Sequence, residues 1–391
     1  MIYRMLRLCS FLFLGLMLTT CIIPFTLNEL RGVEATLVIE GDIILQGDTK
    51  VYLSLSRSLD GEDVICYVTD AMVWIEGESG DQYAGLLIVE ANTPPYFIID
   101  SKALDVSKQY KLCILHNGKQ FESDFLSPLK SPEIYSIDYQ INDTRTTVEF
   151  FVTSYGEENA SRYYKWAFRE DWEITSKYAT NFFFDPISNR ILQYTADPHI
   201  FYCWNQSEST SIIIAKTDHL DNNTVYRQQL NIINCTSDRI SHLYSMELYQ
   251  MSISKEAYDY WSVLKKNTDE IGGIFSPQPC EMSGNIRCLS DANTKVLGYI
   301  SAGTITSKRV FISEKDIGIY ISFDCPFFNE SDFNQPLEPA IPLTNREKFD
   351  MGYAVVRVEL VDPIEWVPLS CVDCRIRGNK NKPPFWPNDH L

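Results

Sequence analysis

The chain is short of the residues from which hydrolytic and metal centres are usually built. It has five histidines in 391 residues, His116, His199, His219, His242 and His390, and no two lie three or four positions apart. That spacing excludes the paired histidines of a zinc-protease helix. A G-x-S-x-G elbow, a P-loop and a dinucleotide fingerprint are all missing, which removes the common signatures of serine hydrolases, nucleotide hydrolases and Rossmann enzymes. Basic residues are outnumbered, 34 against 52 acids, for a net charge of −18. Such a surface repels phosphates, so no nucleic acid partner is expected. No internal repeat with a period of about 20 to 50 residues is present, which leaves solenoids and propellers unsupported. Beyond the N-terminus no apolar run reaches the roughly 20 residues that a spanning helix needs. No catalytic set, metal or cofactor is expected.

What is present begins with an address. Arg4 and Arg7 precede an uncharged apolar core from Phe11 to Leu18, and Leu18-Thr19-Thr20-Cys21 follows. These are the three parts of an export signal, and a cysteine at its end is the residue that carries a diacylglycerol in a lipoprotein. Residues 1–20 are therefore read as a signal peptide, Cys21 as the lipidation site and residues 21–33 as a tether. The alternative is an ordinary secretory signal with an incidental cysteine. Acyl methylenes contribute about 0.8 kcal/mol each, so several chains on one cysteine hold a protein on a membrane without a spanning helix. Ile22 follows the anchor, and neither an aspartate nor an acidic run stands there to choose a membrane face.

Removing 20 of 391 residues leaves 371, enough for two or three domains with real cores. Of eleven cysteines, Cys9 leaves with the signal and Cys21 is acylated; Cys66, Cys113, Cys203, Cys235, Cys280, Cys288, Cys325, Cys371 and Cys374 remain. In an exported chain these point to disulfides, and an odd number leaves at least one thiol over.

From Ala35 the pattern alternates at period two. Leu37 and Ile39, then Val51, Leu53 and Leu55, alternate with polar or small residues, the mark of half-buried strands. Further strands are expected at Ala71 to Glu76, Leu86 to Glu90, Gln109 to Leu115 and Lys119 to Phe125, with Asn117-Gly118 as a hairpin turn. Many short strands with regular turn signals predict an immunoglobulin-like or transthyretin-like sandwich over residues 34–130. Residues 131–391 are expected to form a larger β-rich domain with one clear helix, capped by Ser254 and running from Lys255 to Thr268. The fold class is thus mainly β.

Around that helix and beyond, Tyr258-Asp259-Tyr260-Trp261, Gly272-Gly273-Ile274-Phe275, Gly284-Asn285-Ile286 and Val296-Leu297-Gly298-Tyr299 follow one another, and the tail carries Cys371-Val372-Asp373-Cys374 and Lys382-Pro383-Pro384-Phe385-Trp386-Pro387. With Tyr163-Tyr164-Lys165-Trp166 upstream, this order resembles the Bacteroidota lipoproteins grouped as domain of unknown function 4249, over essentially the whole mature chain. The resemblance implies an outer-membrane lipoprotein that is a non-enzymatic accessory or ligand-binding partner of a TonB-dependent transporter. It assigns no catalytic residue. An envelope structural or assembly protein without a small ligand, and a hydrolase with an unrecognised carboxylate site, are the rival readings.

Among the candidate residues, Cys371-x-x-Cys374 is the most conspicuous. A redox centre would want a helix start after it, whereas Arg375 to Lys382 is basic and contains glycine; a zinc knuckle would want a second close cysteine pair. Structural disulfides pinning the tail are favoured, with Cys288 or Cys325 as partners, and Cys203 and Cys235 can bridge neighbouring strands. Cys66 and Cys113 can cross the first sandwich, or Cys113 can be buried as a plain hydrophobe. Paired acids such as Glu170-Asp171 read as solvated surface. A loop from Thr175 to Thr195 carries Phe182, Phe183 and Phe184; with Trp204 they either pack on the sheet or form a contact patch.

Overall fold

A computed structural model describes residues 35–56, 65–91, 93–196, 198–269, 284–318, 324–333, 343–358 and 364–387. The signal segment, Cys21, the tether, Gly272-Gly273 and Cys280 lie outside the described residues. The chain is mainly β, in several sheets with a few short helices.

The first unit is a sandwich. One sheet runs in the order Val296–Leu297, Leu37–Gly41, Asp48–Leu55, Tyr96–Asp100 and Leu86–Ile88; the other runs Ile286–Cys288, Lys119–Ser123, Tyr110–His116, Met72–Gly77 and Gln82–Ala84. Strand alternation puts Leu37, Ile39, Val51, Leu53, Phe97 and Ile99 of one sheet against Val73, Ile75, Leu112, Ile114 and Phe121 of the other. Asn117 and Gly118 both have positive φ, 50° and 71°, and close the expected hairpin between Tyr110–His116 and Lys119–Ser123.

The sandwich is not confined to residues 34–130. Ile286–Cys288 pairs with Lys119–Ser123, and Val296–Leu297 runs parallel to Leu37–Gly41. These returning strands close one edge of each sheet and add Cys288 and Ile300 to the core. Gly298 permits the approach: its φ is 139°, and a Cβ there would fall 2.2 Å from the Ile39 carbonyl oxygen. Sequence alternation alone carries no signal for so distant a partner.

The second unit packs the three-stranded sheet Ile134–Ile141, Thr147–Tyr155 and Thr224–Asn234 on a sheet ordered Tyr202–Glu208, Tyr163–Thr175, Leu243–Ile253, Ala302–Ser313 and Ile43–Leu45. Ile213–Lys216 pairs with the first half of Tyr163–Thr175. Between the sheets lie Val148, Phe150 and Val152 against Tyr164, Trp166, Phe168, Met246 and Leu248. Ile43–Leu45, from the first unit, joins this sheet as a parallel edge strand beside Ala302–Ser313, so the units share backbone hydrogen bonds. The helix Lys255–Asp269 is where the sequence places it, and the Ser254 hydroxyl accepts from the Ala257 amide at 3.1 Å. Its Ala257, Tyr258 and Trp261 pack on Met251, Ile253, Ile44 and Tyr299, at the junction of the units.

The segment carrying three phenylalanines is a hairpin, Phe182–Asp185 with Arg190–Gln193, where the sequence had suggested a loop. It packs beside the two-stranded sheet Tyr353–Arg357 and Glu365–Pro368 over a small aromatic core of Phe333, Val355 and Trp366. No helix among the described residues is long and apolar enough to cross a membrane.

Candidate binding cleft between the two units

Where the outer face of the first sandwich meets the second sheet, a cleft of about 340 Å³ opens, at the small end of the range for organic-ligand sites. The strand Asp48–Leu55 buries Val51 and Leu53, so Lys50 and Tyr52 point outward. The neighbouring strand buries Phe97 and Ile99 and turns Tyr96 out beside them. The Tyr52 and Tyr96 rings lie 5.6 Å apart at 44°, and the Lys50 ammonium sits 5.0 Å from the Tyr96 ring centre, a cation–π contact. Glu90, Thr93 and Pro94 close one end of the cleft.

The opposite wall comes from the long strand Tyr163–Thr175 and its neighbour Tyr202–Glu208, which set Arg169 across from Glu208 and Asp171 across from Gln206. Arg169 donates from Nε and Nη2 to Asp171 Oδ1, at 3.1 and 2.8 Å, and from Nη2 to Gln206 Oε1 at 2.5 Å. Asp171 is fully buried; its second oxygen accepts from Arg309 Nη1 at 3.3 Å. Arg309 continues to Ser245 and Glu247, and the Tyr249 hydroxyl donates to Glu247 at 2.7 Å. A row of alternating charges thus fixes the Arg169 guanidinium at the cleft wall. Burial opposes the charge of Arg169, but its bonds to Asp171 outweigh that and raise its pKa. Burial pushes the Tyr52 hydroxyl up, with the Glu208 charge adding to it, so Tyr52 stays a neutral hydrogen-bonding group. Tyr249 is raised by burial and by its bond to Glu247.

The C-terminal tail continues this wall. Asn379 exchanges both backbone hydrogen bonds with Trp204, at 2.7 and 2.9 Å. Farther along, the Phe385 ring covers the Arg309 guanidinium at 3.5 Å. Trp386 packs with Trp204 and Leu243 and donates from Nε1 to Glu173 Oε2 at 3.0 Å.

The cysteines singled out in the sequence divide. Cys203 is bonded to Cys374 and Cys325 to Cys371, with Cα separations of 5.6 and 5.9 Å. The two tail cysteines therefore take different partners, one on the second sheet and one beside the C-terminal sheet. Cys235 and Cys288, expected among the disulfides, are buried thiols. Cys203 is already taken by Cys374, and Cys288 sits in the first sandwich, in a different core from the tail. Cys113 is also a buried thiol, its pKa pushed up to about 12 by burial and then by the Glu122 charge. It does not cross the sandwich.

The four aromatic candidates do not form one exposed patch. Phe184 is buried against Phe349, Phe183 stacks on Tyr194 at 4.6 Å, Phe182 packs on the aromatic core, and Trp204 is buried under Trp386. Glu170 and Asp171, read from the sequence as solvated, are 2% and 0% exposed. They point to opposite faces of one strand. Glu170 accepts from Asn231, Arg239 and Tyr244, and Asp171 from the two arginines. Donors from the same strand, from other strands and from the turn Asp238–Ile240 make this burial tolerable.

None of the cleft residues Lys50, Tyr52, Tyr96, Arg169 or Glu208 stands out in the sequence. The pattern Lys50-x-Tyr52 reads like any solvated strand face, and the opposite wall lies more than a hundred residues away. Among the described residues no group of His, Cys, Asp and Glu is arranged to hold a metal.

No curated protein matches the chain. The family model described as "Domain of unknown function (DUF4249)" matches residues 22–309, which takes in both units but stops short of the tail motifs around Cys371 and Trp386. On that match, which covers well over half of its length, the chain belongs to the DUF4249 family.

Proposed function

We propose that this chain is a lipoprotein of the outer membrane, acylated at Cys21, which binds a ligand without chemistry and serves as an accessory to a TonB-dependent transporter. The observation that carries the binding reading is the cleft: two outward tyrosines and a lysine on one wall face a guanidinium fixed by a buried carboxylate on the other. Mixed charges and aromatic faces orient an organic ligand. The non-enzymatic part rests on the state of the buried acids. Glu170 and Asp171 are each held by several donors, and Glu173 accepts from Trp386, so an ion pair or hydrogen bond would have to break before any of them met a substrate. The anchoring part rests on the signal-like segment ending in Cys21.

The test is a pull-down from native membranes with the full-length chain, beside a Cys21→Ala variant. Co-recovery of a TonB-dependent transporter with the wild type is expected, with membrane retention and fatty-acid labelling both lost in the variant. Recovery of the chain without any transporter, or an unlabelled wild type, overturns the respective half of the proposal.

A further inference from the structure

Deepening that binding reading, and resting on it, we infer that the ligand class of the cleft is a short extended peptide with a free α-carboxylate, held partly by strand addition. Among the described residues Tyr202–Glu208 is the outermost strand of its sheet, paired with Tyr163–Thr175 on one edge and bridged on the other by Asn379 at Trp204 alone. The N–H and C=O of Trp204 both turn outward, because both bond Asn379. In an antiparallel ladder every second residue faces the same way, so Gln206 and Glu208 also direct their backbone groups to the open side. The Ser209 amide confirms the alternation by turning inward to the Phe168 carbonyl at 2.8 Å. The Gln206 N–H is taken by the Asn205 side chain at 2.9 Å. The Gln206 carbonyl and both backbone groups of Glu208 have no partner among the described residues and lie side by side at the mouth of the cleft.

That edge already takes a backbone partner, since Asn379 of the chain's own tail bridges to it at Trp204. A peptide laid along Gln206 and Glu208 continues the same ladder into the cleft, the way exposed sheet edges take peptides in general. Its carboxylate then meets Lys50 and the guanidinium of Arg169, whose Nη1 has no protein acceptor among the described residues. Its ammonium or a basic side chain meets Glu90, which closes one end of the cleft. Two cations and two anions around one small cleft suit a zwitterion better than a neutral sugar. The 44° tilt between Tyr52 and Tyr96 also denies a sugar ring one flat platform.

The experiment is calorimetric titration of the detergent-extracted full-length chain with four probes: tetra-alanine, its C-terminal amide, tetra-alanine N-methylated at the inner amides, and maltotetraose. Tetra-alanine is expected to bind, with the amide and the N-methylated peptide each weaker by about tenfold or more. Glu208→Pro removes the edge N–H, which an edge strand tolerates, and should weaken tetra-alanine about tenfold more than Glu208→Gln, which loses the same carboxylate but keeps the N–H. The N-methylated probe gives the same reading on wild-type protein if the proline variant fails to fold. Equal binding of tetra-alanine and its N-methylated form overturns strand addition, and equal binding of acid and amide overturns carboxylate recognition. Binding of maltotetraose alone, abolished by Tyr96→Ala, overturns the peptide class and leaves the binding reading standing. Silence from all four probes, together with transporter recovery that Tyr96→Ala does not change, overturns both.

Discussion

The two sandwiches of this chain are stabilised in opposite ways. The first has an almost wholly apolar core, built from Leu37, Ile39, Val51, Leu53, Ile75, Phe97, Ile99 and Leu112, with the Cys288 thiol left unoxidised inside it and the Cys113 thiol buried on the other face of the strand that carries Leu112. The second buries polar and charged groups along with its aromatics. Gln250 is fully buried, accepts from Ser154 and Trp166 and donates to the Pro132 carbonyl. Glu170, Asp171 and Glu173 lie in one strand at 2%, 0% and 1% exposure. Both disulfides also belong to the second unit and the tail that covers it. Area burial has no directionality, so the first unit depends mainly on shape, with a few buried hydroxyls such as Thr49, Ser101 and Ser123 bonded within it. The second depends on partners that must be in place, and the cleft borrows its fixed Arg169 from that network.

The largest expected effect comes from opening the covalent closure of the second unit. The Cys203–Cys374 bond spans 171 residues and Cys325–Cys371 spans 46. Chain-entropy reasoning gives about 5 kcal/mol for the longer and about 4 kcal/mol for the shorter. Replacing Cys203 and Cys374 by serine should therefore cost more than replacing Cys325 and Cys371, as read in urea melts. Only the former should release the tail from Trp204, which Trp386 fluorescence would report. Equal losses, or a larger loss from the shorter loop, would mean that the tail stays docked by packing alone.

Next comes Asp171→Ala. Removing one member of a buried ion pair typically costs about 3 to 5 kcal/mol, and the lower end applies because Arg309 keeps Glu247. Phe97→Ala in the first core should cost about as much, by cavity formation. The two variants separate in their salt response: the deficit of Asp171→Ala should change with ionic strength and that of Phe97→Ala should not. If both deficits are salt-independent, the supposed division between an electrostatic and an apolar unit is wrong.

The same contrast explains what the sequence discloses. Period-two alternation at Leu37–Ile39 and Val51–Leu55, the Asn117-Gly118 turn and the Ser254-capped helix are local signals, and all three are seen in the structure. The strands at Ile286 and Val296 are local in pattern but remote in pairing, so their membership of the first sandwich could not be read. Glu170-Asp171 misleads because adjacency in a strand places two side chains on opposite faces, and neither finds water there. Its donors arrive from elsewhere, Tyr244 and Arg309 from other strands and Arg239 from the short turn Asp238–Ile240. The cleft is harder still, since each wall looks like an ordinary solvated face until the two units are docked. The cysteines fall between these cases: compartment reasoning favours disulfides, but only the fold decides which of nine sulfurs meet.

Cys113 offers a smaller and more local probe of the first unit. Its thiol is buried and its pKa is pushed up to about 12, so at pH 8 it is almost entirely the unreactive thiol form. Alkylation of Cys113 should be negligible in the native protein and should rise only as the first sandwich opens. Cys113→Ala should cost about 1 kcal/mol, the scale of removing one buried methyl-sized group. Labelling that tracks reduction of the disulfides, and not unfolding of the first core, would show that the units do not unfold independently.

The smallest effect separates a surface carboxylate of the second unit from its buried ones. Ser313 and Asp316 form a capping box at the short helix Glu314–Ile317, each side chain bonding the other's backbone amide. The Ser313 hydroxyl and amide hold the Asp316 carboxyl below the ordinary range, burial opposing weakly. A carboxyl depressed in the folded state adds stability above its unfolded pKa of about 3.9 and loses it as pH falls through the lower folded value. Asp316→Asn should therefore cost less than about 1 kcal/mol at pH 7, given its exposure to solvent. The deficit should shrink to nothing in acid, where the wild-type group is protonated as well. Urea melts of both proteins between neutral pH and pH about 2 measure it. A deficit that persists unchanged in acid would show that the cap acts through shape and hydrogen-bond count, with no part played by the carboxylate charge.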